Sequence, residues 1–150
     1  RVIATSSTPE KLEHARALGA DATIDYRRED VAARALELTD GRGVDVVFDH
    51  VGEPNFGVDI ASLAKGGRLV TCGTTGGGAV SLDLSAFYFK SQSILGSTLG
   101  RRDELRTILE LIALGRLRTT VDRVYPLEQL AEAHRFLEEG RQKGKVVIEV

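Results

Sequence analysis

Short apolar runs with the pattern of β-strands alternate along most of the 150 residues with amphipathic helical patterns. Strands separated by helices in this rhythm require right-handed crossovers and a mainly parallel sheet with helices on both faces. Because the runs 44–49 and 68–73 are densely apolar, we expect them to be buried on both faces of that sheet. The sequence therefore predicts an α/β protein with a doubly wound parallel sheet.

Caps and glycines mark where these elements begin and end. Thr8 and Pro9 have the pattern of an N-cap followed by a first-turn proline, and Gly19 is placed to end the helix that follows. Strands are predicted at 2–5, 22–26, 44–49, 68–73, 93–97 and 145–150, with an extended segment at 118–125. Helices are predicted at 9–18, 29–39, 56–63, 105–112 and 127–137.

Composition excludes several classes of protein. With 42% hydrophobic residues and a formal net charge of −2, the chain is typical of neither a disordered protein nor a basic nucleic-acid binder. No apolar run approaches the roughly twenty residues that a membrane helix needs. The single cysteine, Cys72, allows neither an internal disulfide nor a cysteine-rich zinc cluster, and we expect it to be a buried, inert core residue. These features predict a cytoplasmic protein without nucleic-acid or membrane partners.

Six short motifs occur in one order along the whole chain. Together they resemble the medium-chain dehydrogenase/reductase superfamily, and its zinc-type alcohol dehydrogenase and quinone oxidoreductase branches most of all. The resemblance implies a Rossmann domain that binds NAD(P), and hydride transfer between the nicotinamide and a carbonyl, alcohol or activated alkene of a small-molecule substrate. The motifs are Val2-Ile3-Ala4-Thr5, Glu10-Lys11-Leu12, Leu18-Gly19-Ala20-Asp21, Asp49-His50-Val51-Gly52, Gly66-Gly67-Arg68 and Gly144-Lys145-Val146-Val147.

The resemblance also implies a division of the chain. Residues 1–117 correspond to an NAD(P)-binding Rossmann domain that is incomplete at its N-terminal end, because Arg1 aligns with the family's second strand. Residues 118–150 correspond to a segment that returns to the catalytic domain. The family's Gly-x-Gly-x-x-Gly turn, catalytic zinc ligands and proton relay find no counterpart here, so we assign no catalytic and no metal-binding residue.

Three interpretations of the activity remain open at this stage. The segments Phe87–Lys90 and Ser93–Thr98 slightly favour the zinc-type branch, in which a zinc ion could act in the complete enzyme without being bound by this segment. A zinc-free quinone or enone reductase is the alternative. The third is a non-catalytic module for nucleotide binding or oligomer contacts.

The end of the first strand predicts which cofactor is used. Enzymes that use NAD usually carry Asp or Glu there to bind the adenosine ribose, whereas this chain has Ser6 followed by Ser7. Lys11, one helical turn on, adds positive charge, and the resemblance places Lys11 and Tyr26 where the NADP-using branch contacts the 2′-phosphate. We therefore expect NADP, with NAD possible. The alternative is that the serines only cap the helix and Lys11 is a solvated lysine.

Three further regions have weaker signals. By the resemblance, backbone groups of Val51, Gly73 and Thr74 lie near the nicotinamide, and 73–78 is predicted to be a flexible loop there. The resemblance implies that Lys145 reaches the cofactor pyrophosphate, and the alternative is an edge-strand lysine that discourages aggregation. His50 lies at a strand end, where it could act as a general base, but isolated histidines are commonly structural and we assign it no catalytic role.

Two structural expectations follow from the family's strand order. The strand Ser93–Ser97 is predicted to lie at the sheet edge and to pair with a second copy, giving a homodimer. Strands 2–5 and 46–49 are predicted not to be direct neighbours, with a separation of about 9–10 Å instead of the about 4.8 Å of a hydrogen-bonded pair.

Overall fold

The computed structural model describes residues 1–150, which form two compact units, residues 1–98 and residues 99–150. The strands are β1 (Ile3–Ser6), β2 (Ala22–Asp25), β3 (Val44–Asp49), β4 (Leu63–Thr71), β5 (Ser93–Gly96), β6 (Val121–Pro126) and β7 (Lys145–Glu149). The helices are α1 (Pro9–Ala17), α2 (Val31–Glu37), α3 (Glu53–Ser62), α4 (Leu84–Phe89), α5 (Arg102–Ala113) and α6 (Leu130–Glu138), the last preceded by a 3-10 turn at Leu127–Gln129.

Every strand pair in the first unit is parallel, and a helix connects each pair. β1 pairs with β2, and the second sheet has the order β3-β4-β5. Local signals set the boundaries as predicted: Thr8 caps α1, Pro9 occupies its first turn, and Gly19 has a φ of +107° just after its end. The α/β class with parallel strands is therefore confirmed.

β1 and β3 are not hydrogen-bonded neighbours, which agrees with the prediction from strand order. β1 pairs only with β2, and β3 pairs only with β4. The expected burial of β3 on both faces is wrong, because Val46 is 43% exposed and Phe48 is 70% exposed. These two side chains share one face of an edge strand. Asp49, on the opposite face, is buried and bonded to α3.

β4 is buried on one face only, and this corrects the prediction for Cys72. Leu69 is almost fully buried, whereas Cys72 is exposed. Side chains alternate between the two faces of an extended chain, and Cys72 follows Leu69 by three residues, so it points to the opposite face. Cys72 is therefore a solvent-accessible thiol and not a core residue.

β5 forms the free edge of the three-stranded sheet. It pairs only with β4, and all four of its residues are exposed. Ile94 and Leu95 are 39% and 46% exposed, so they are not ordinary core residues. Behind this strand the buried amide of Gln92 donates to the carbonyls of Ile60 and Leu63, both at 3.3 Å, which fixes the start of β5 against the junction of α3 and β4.

The second unit has its own small core. β6 and β7 pair in parallel, and α6 connects them. Tyr125 of β6 and Phe136 of α6 are buried, with their ring centroids 6.4 Å apart, and the Arg123 guanidinium lies 4.3 Å from the Phe136 centroid. None of the helices in the chain combines the length and apolar character that crossing a membrane requires.

Candidate functional site

The carboxyl ends of β1 and β2 form a polar corner. Ser6 ends β1 and pairs in register with Asp25, the last residue of β2. The amide of Tyr26 donates to the Ser6 carbonyl at 3.1 Å, which continues the ladder by one residue. Ser6 and Ser7 are half-buried, and 53% of Tyr26 is exposed. Ser6, Ser7 and Tyr26 therefore meet at one sheet end, where parallel α/β proteins bind ligands.

Lys11 lies in the first turn of the helix that leaves this corner. Its amide donates to Oγ1 of Thr8, the residue that caps α1, at 3.3 Å. A helix N-terminus carries a partial positive charge, and a lysine side chain near it adds a full one. The first turn of α1 therefore carries one basic residue, Lys11, and one acidic residue, Glu10, whereas no acidic residue occupies β1 or the two residues that follow it.

The one carboxylate at the end of β2 is already engaged. Asp25 is 8% exposed, and its Oδ1 accepts a hydrogen bond from the Arg27 amide at 3.0 Å. Its Oδ2 lies 3.6 Å from Nε of Arg28. This burial and pairing leave the serine hydroxyls, Tyr26 and the arginine side chains as the groups that an anion would meet first.

A second corner lies at the carboxyl ends of β3 and β4. Asp49 accepts from the amides of Val51 at 3.0 Å and Gly52 at 2.7 Å, and from Nδ2 of Asn55 at 3.2 Å. This buried carboxylate fixes the turn from β3 into α3. Val51 is half-buried there, and its carbonyl accepts from the Gly76 amide at 2.8 Å.

The loop 73–78 is tied to that turn by backbone hydrogen bonds. The carbonyl of Gly77 accepts from the Glu53 amide at 2.9 Å, and the Thr74 carbonyl accepts from the Gly77 amide at 3.1 Å. Gly73 lies so close to His50 that an added Cβ would be 3.0 Å from the His50 carbonyl oxygen. Backbone hydrogen bonds therefore hold the loop, which was predicted to be flexible, at Thr74, Gly76 and Gly77. Gly73 and Thr74 follow the end of β4 at Thr71 by two and three residues.

Lys145 belongs to the second unit. It begins β7, is exposed, and donates its amide to the Thr120 carbonyl at 2.8 Å. Gly144 before it cannot be replaced without strain, because an added Cβ would lie 2.5 Å from the same carbonyl oxygen. The β6–β7 pair therefore fixes the backbone of Lys145 and leaves its side chain in solvent.

The side chains that could bind a metal ion are dispersed over this chain. No three His, Cys, Asp or Glu side chains converge closely enough to hold an ion. His50 is exposed and Cys72 stands apart from other ligands. The residues of this chain do not fit a catalytic zinc ion, which takes three protein ligands.

Three carboxylates have structural roles or environments that the sequence pattern did not predict. Asp25 and Asp49 each end a strand, and their side chains organise the turn that follows. An Asp directly before a turn is the sequence signal for this role, and for Asp49 the Gly52 three residues later strengthens it. Asp59 lies on α3 three residues after Phe56, on the same side of the helix. A charged residue inside an apolar helical stripe is a visible signal of an unusual environment.

Parallel strands joined by helices, with polar groups gathered at the strand ends, define a Rossmann-type α/β protein. A family model described as zinc-binding dehydrogenase matches residues 18–148. The chain therefore belongs to the zinc-binding dehydrogenases of the medium-chain dehydrogenase/reductase superfamily, as its motifs indicate.

Individual relatives agree with this assignment. A quinone oxidoreductase from Pseudomonas aeruginosa is 34% identical over 99% of this chain and 48% of its own length. The crystal structure of an NAD-dependent alcohol dehydrogenase is 42% identical, with a TM-score of 0.93 over 100% of this chain and 44% of that one. A crotonyl-CoA carboxylase/reductase in complex with NADP, at 23% identity and a TM-score of 0.89 over 99% of this chain and 43% of that one, shows the same fold. The chain spans about half the length of the relatives it matches.

Proposed function

We propose that this chain is the cofactor-binding part of an NADP(H)-dependent oxidoreductase that transfers hydride to or from a carbonyl, alcohol or activated alkene of a small molecule. One observation carries the choice of NADP. β1 ends at Ser6, Ser7 follows it, and the neighbouring carboxylate of Asp25 is buried and bonded to the Arg27 amide. An anionic 2′-phosphate at the end of β1 would therefore meet hydroxyl and cationic groups, while the carboxylate of β2 is engaged with Arg27 and Arg28.

NAD is the second candidate, and one relative favours it. The structure that is 42% identical to this chain is described as an NAD-dependent alcohol dehydrogenase. Serine hydroxyls can also bind a ribose diol, so Ser6 alone does not exclude NADH. The added charge of Lys11, Arg27 and Arg28 around the corner is what favours the phosphorylated cofactor.

The remaining site residues have binding and orienting roles in this proposal. The bound nicotinamide supplies the hydride, and the protein supplies orientation and electrostatics. The turn that contains Val51, with Gly73 and Thr74 beside it, would hold the nicotinamide end of the cofactor through backbone groups. Lys145 would contact the pyrophosphate, with its alternative role as a charged edge-strand residue.

Two branches of the superfamily remain candidates for the complete enzyme. We favour the zinc-type alcohol dehydrogenase branch on the segments Phe87–Lys90 and Ser93–Thr98. The zinc-free quinone or enone reductase branch is supported by the Pseudomonas aeruginosa quinone oxidoreductase. We also propose that residues 118–150 return to the catalytic domain. We further propose that the protein works in the reducing cytoplasm, where its free, exposed Cys72 would stay reduced.

The cofactor preference is tested by titrating NADPH and NADH into the protein and following the reduced-nicotinamide fluorescence. We expect tighter binding of NADPH, and Lys11→Ala is expected to weaken NADPH by about tenfold while leaving NADH nearly unchanged, because a charge-assisted phosphate contact is lost. Ser6→Asp is expected to reverse the preference by repelling the phosphate.

The matched control is Lys65→Ala, which removes an exposed lysine of β4 from the same unit. It should leave both affinities unchanged. Equal affinities for the two cofactors that Lys11→Ala does not alter would disprove NADP selectivity. Binding of neither nucleotide would favour the third interpretation, a non-catalytic module that serves oligomer contacts.

The exposed edge of β5 supports a homodimer. Ile94 and Leu95 lie on a strand with unpaired backbone groups along one side, and such an edge can pair with a second copy. We expect sedimentation at micromolar concentration to show a dimer, and Leu95→Lys to shift it toward monomer. Val80→Lys, at a similarly exposed apolar residue outside the strands, is the control and should leave the dimer intact. A wild-type protein that sediments only as a monomer would contradict this prediction.

A further inference from the structure

The turn that follows β2 is closed by one buried carboxylate. Oδ1 of Asp25 accepts the Arg27 amide at 3.0 Å, and its Oδ2 lies 3.6 Å from Nε of Arg28. The backbone carbonyl of Asp25 accepts from the amides of Arg28 at 3.0 Å and Glu29 at 2.9 Å. Asp25, which is only 8% exposed, therefore makes all four of these interactions.

Glu29 completes the turn from its other end. Its Oε1 accepts the Asp25 amide at 2.8 Å, so each of the two acids accepts a backbone hydrogen bond inside the same five-residue segment. Reciprocal bonds of this kind define a single backbone conformation, as a capping box does at a helix start. Arg34, 3.6 Å from Oε2 of Glu29, fixes the second acid in turn.

The closed turn carries the proposed phosphate contacts. Tyr26 lies inside it, and its amide is bonded to the Ser6 carbonyl, so the turn is attached to the end of β1. The Tyr26 ring is half exposed, and Arg27 follows it directly. Any change in the turn would move both residues relative to Ser6 and Ser7.

We propose that Asp25 is a positioning residue for selectivity toward a 2′-phosphorylated adenosine: by closing the turn 25–29 it holds Tyr26 and Arg27 in place beside Ser6. This inference rests on the proposed NADP(H) site. It assigns to a buried acid a role in binding an anion, which its charge alone would oppose. Holding a site in its binding conformation raises affinity because less ordering is left for the ligand to impose.

The sign of the effect separates positioning from charge. If Asp25 acted only as a negative charge near the phosphate, its removal would strengthen binding of the 2′-phosphorylated ligand. If Asp25 positions the turn, its removal weakens that binding. A purely structural role would lower thermal stability and leave the ratio of the two affinities unchanged.

The experiment compares 2′,5′-ADP with 5′-AMP by calorimetry on the full chain, so that neither catalysis nor the nicotinamide contributes. For Asp25→Ala we expect the selectivity ratio to fall about fivefold or more, with 5′-AMP affinity nearly unchanged. Asp25→Asn keeps a carbonyl oxygen for the Arg27 amide and should restore the ratio to within about twofold. Glu29→Ala, at a half-exposed residue, should also lower the selectivity ratio. This variant tests the role of the turn if Asp25→Ala does not fold.

Glu37→Ala is the control, because it removes another partner of Arg34 and the same charge without touching the turn. If Asp25→Ala folds and its ratio of 2′,5′-ADP to 5′-AMP affinity is unchanged or increased, the inference is overturned and the proposed function still holds. If Asp25→Ala does not fold, the same result for Glu29→Ala overturns the inference. A wild-type protein that binds both ligands equally overturns the NADP proposal itself. The two failures are therefore distinguishable.

Discussion

Gly52→Ala is expected to lower the free energy of unfolding by about 3 kcal/mol or more. Gly52 precedes α3 with φ +90° and ψ −126°, a conformation that side-chain-bearing residues rarely adopt. An added Cβ would lie 2.3 Å from the Gly77 carbonyl oxygen, which also accepts the Glu53 amide. The variant must therefore strain its own backbone and displace the loop 73–78.

Gly57→Ala is the matched control for this effect. Gly57 lies inside α3, and an added Cβ there meets no atom within 4 Å. Alanine is expected to stabilise the helix by about 0.5–1 kcal/mol, because glycine loses more backbone entropy on folding. Urea denaturation followed by circular dichroism measures both variants. A Gly52→Ala protein within about 1 kcal/mol of wild type would show that the turn relaxes at little cost.

Local features of this fold were predictable from the sequence. Thr8, Pro9 and Gly19 delimit α1 through capping and turn chemistry that depends on a few adjacent residues. The alternation of strand and helix patterns likewise predicted parallel strands. The hydrophobic periodicity of the sequence could not predict which elements lie next to each strand. β3 was expected to be buried, yet Phe48 is exposed, because burial depends on which elements lie beside and above a strand.

The candidate site was predictable to a similar degree. The strand pattern places Ser6 at a strand end, the family resemblance assigns Tyr26 to the same corner, and the register of β1 and β2 brings the two together. The roles of Asp25 and Asp49 were not predicted. Both lie at the last position of a strand, and their side chains bond to amides two or three residues further on, which a reading of strand pattern alone does not detect.

Asp59 is expected to make the protein less stable as pH rises from about 4 to 7. Its Oδ2 is buried without a hydrogen-bond partner, whereas nearby Asp49 already accepts three hydrogen bonds. Burial, and secondarily the charge of Asp49, raises the pKa of Asp59 from 3.8 to about 7. The folded protein therefore holds a proton on Asp59 that the unfolded chain has already released.

The sign follows from this difference in proton binding. Below about pH 4 both states are protonated and Asp59 costs nothing, and above about pH 7 the folded state must hold a half-buried carboxylate beside Asp49. Because Asp59 is half-exposed, solvent screening reduces the expected loss to about 1–2 kcal/mol, well below the full value of such a shift. Asp59→Asn should remove it, so the stability of this variant relative to wild type should rise between pH 5 and 8.

Denaturant unfolding of wild type and Asp59→Asn at several pH values measures this difference. Asp45→Asn provides the control, because Arg42 bonds to the exposed Asp45 carboxylate and lowers its pKa below 3.8. Asp45 is therefore ionised throughout this range, and its variant should run parallel to wild type from pH 5 to 8. Parallel curves for Asp59→Asn as well would mean that Asp59 is already ionised in the folded protein at pH 5. Its unpartnered oxygen would then be stabilised by solvent and not by a proton.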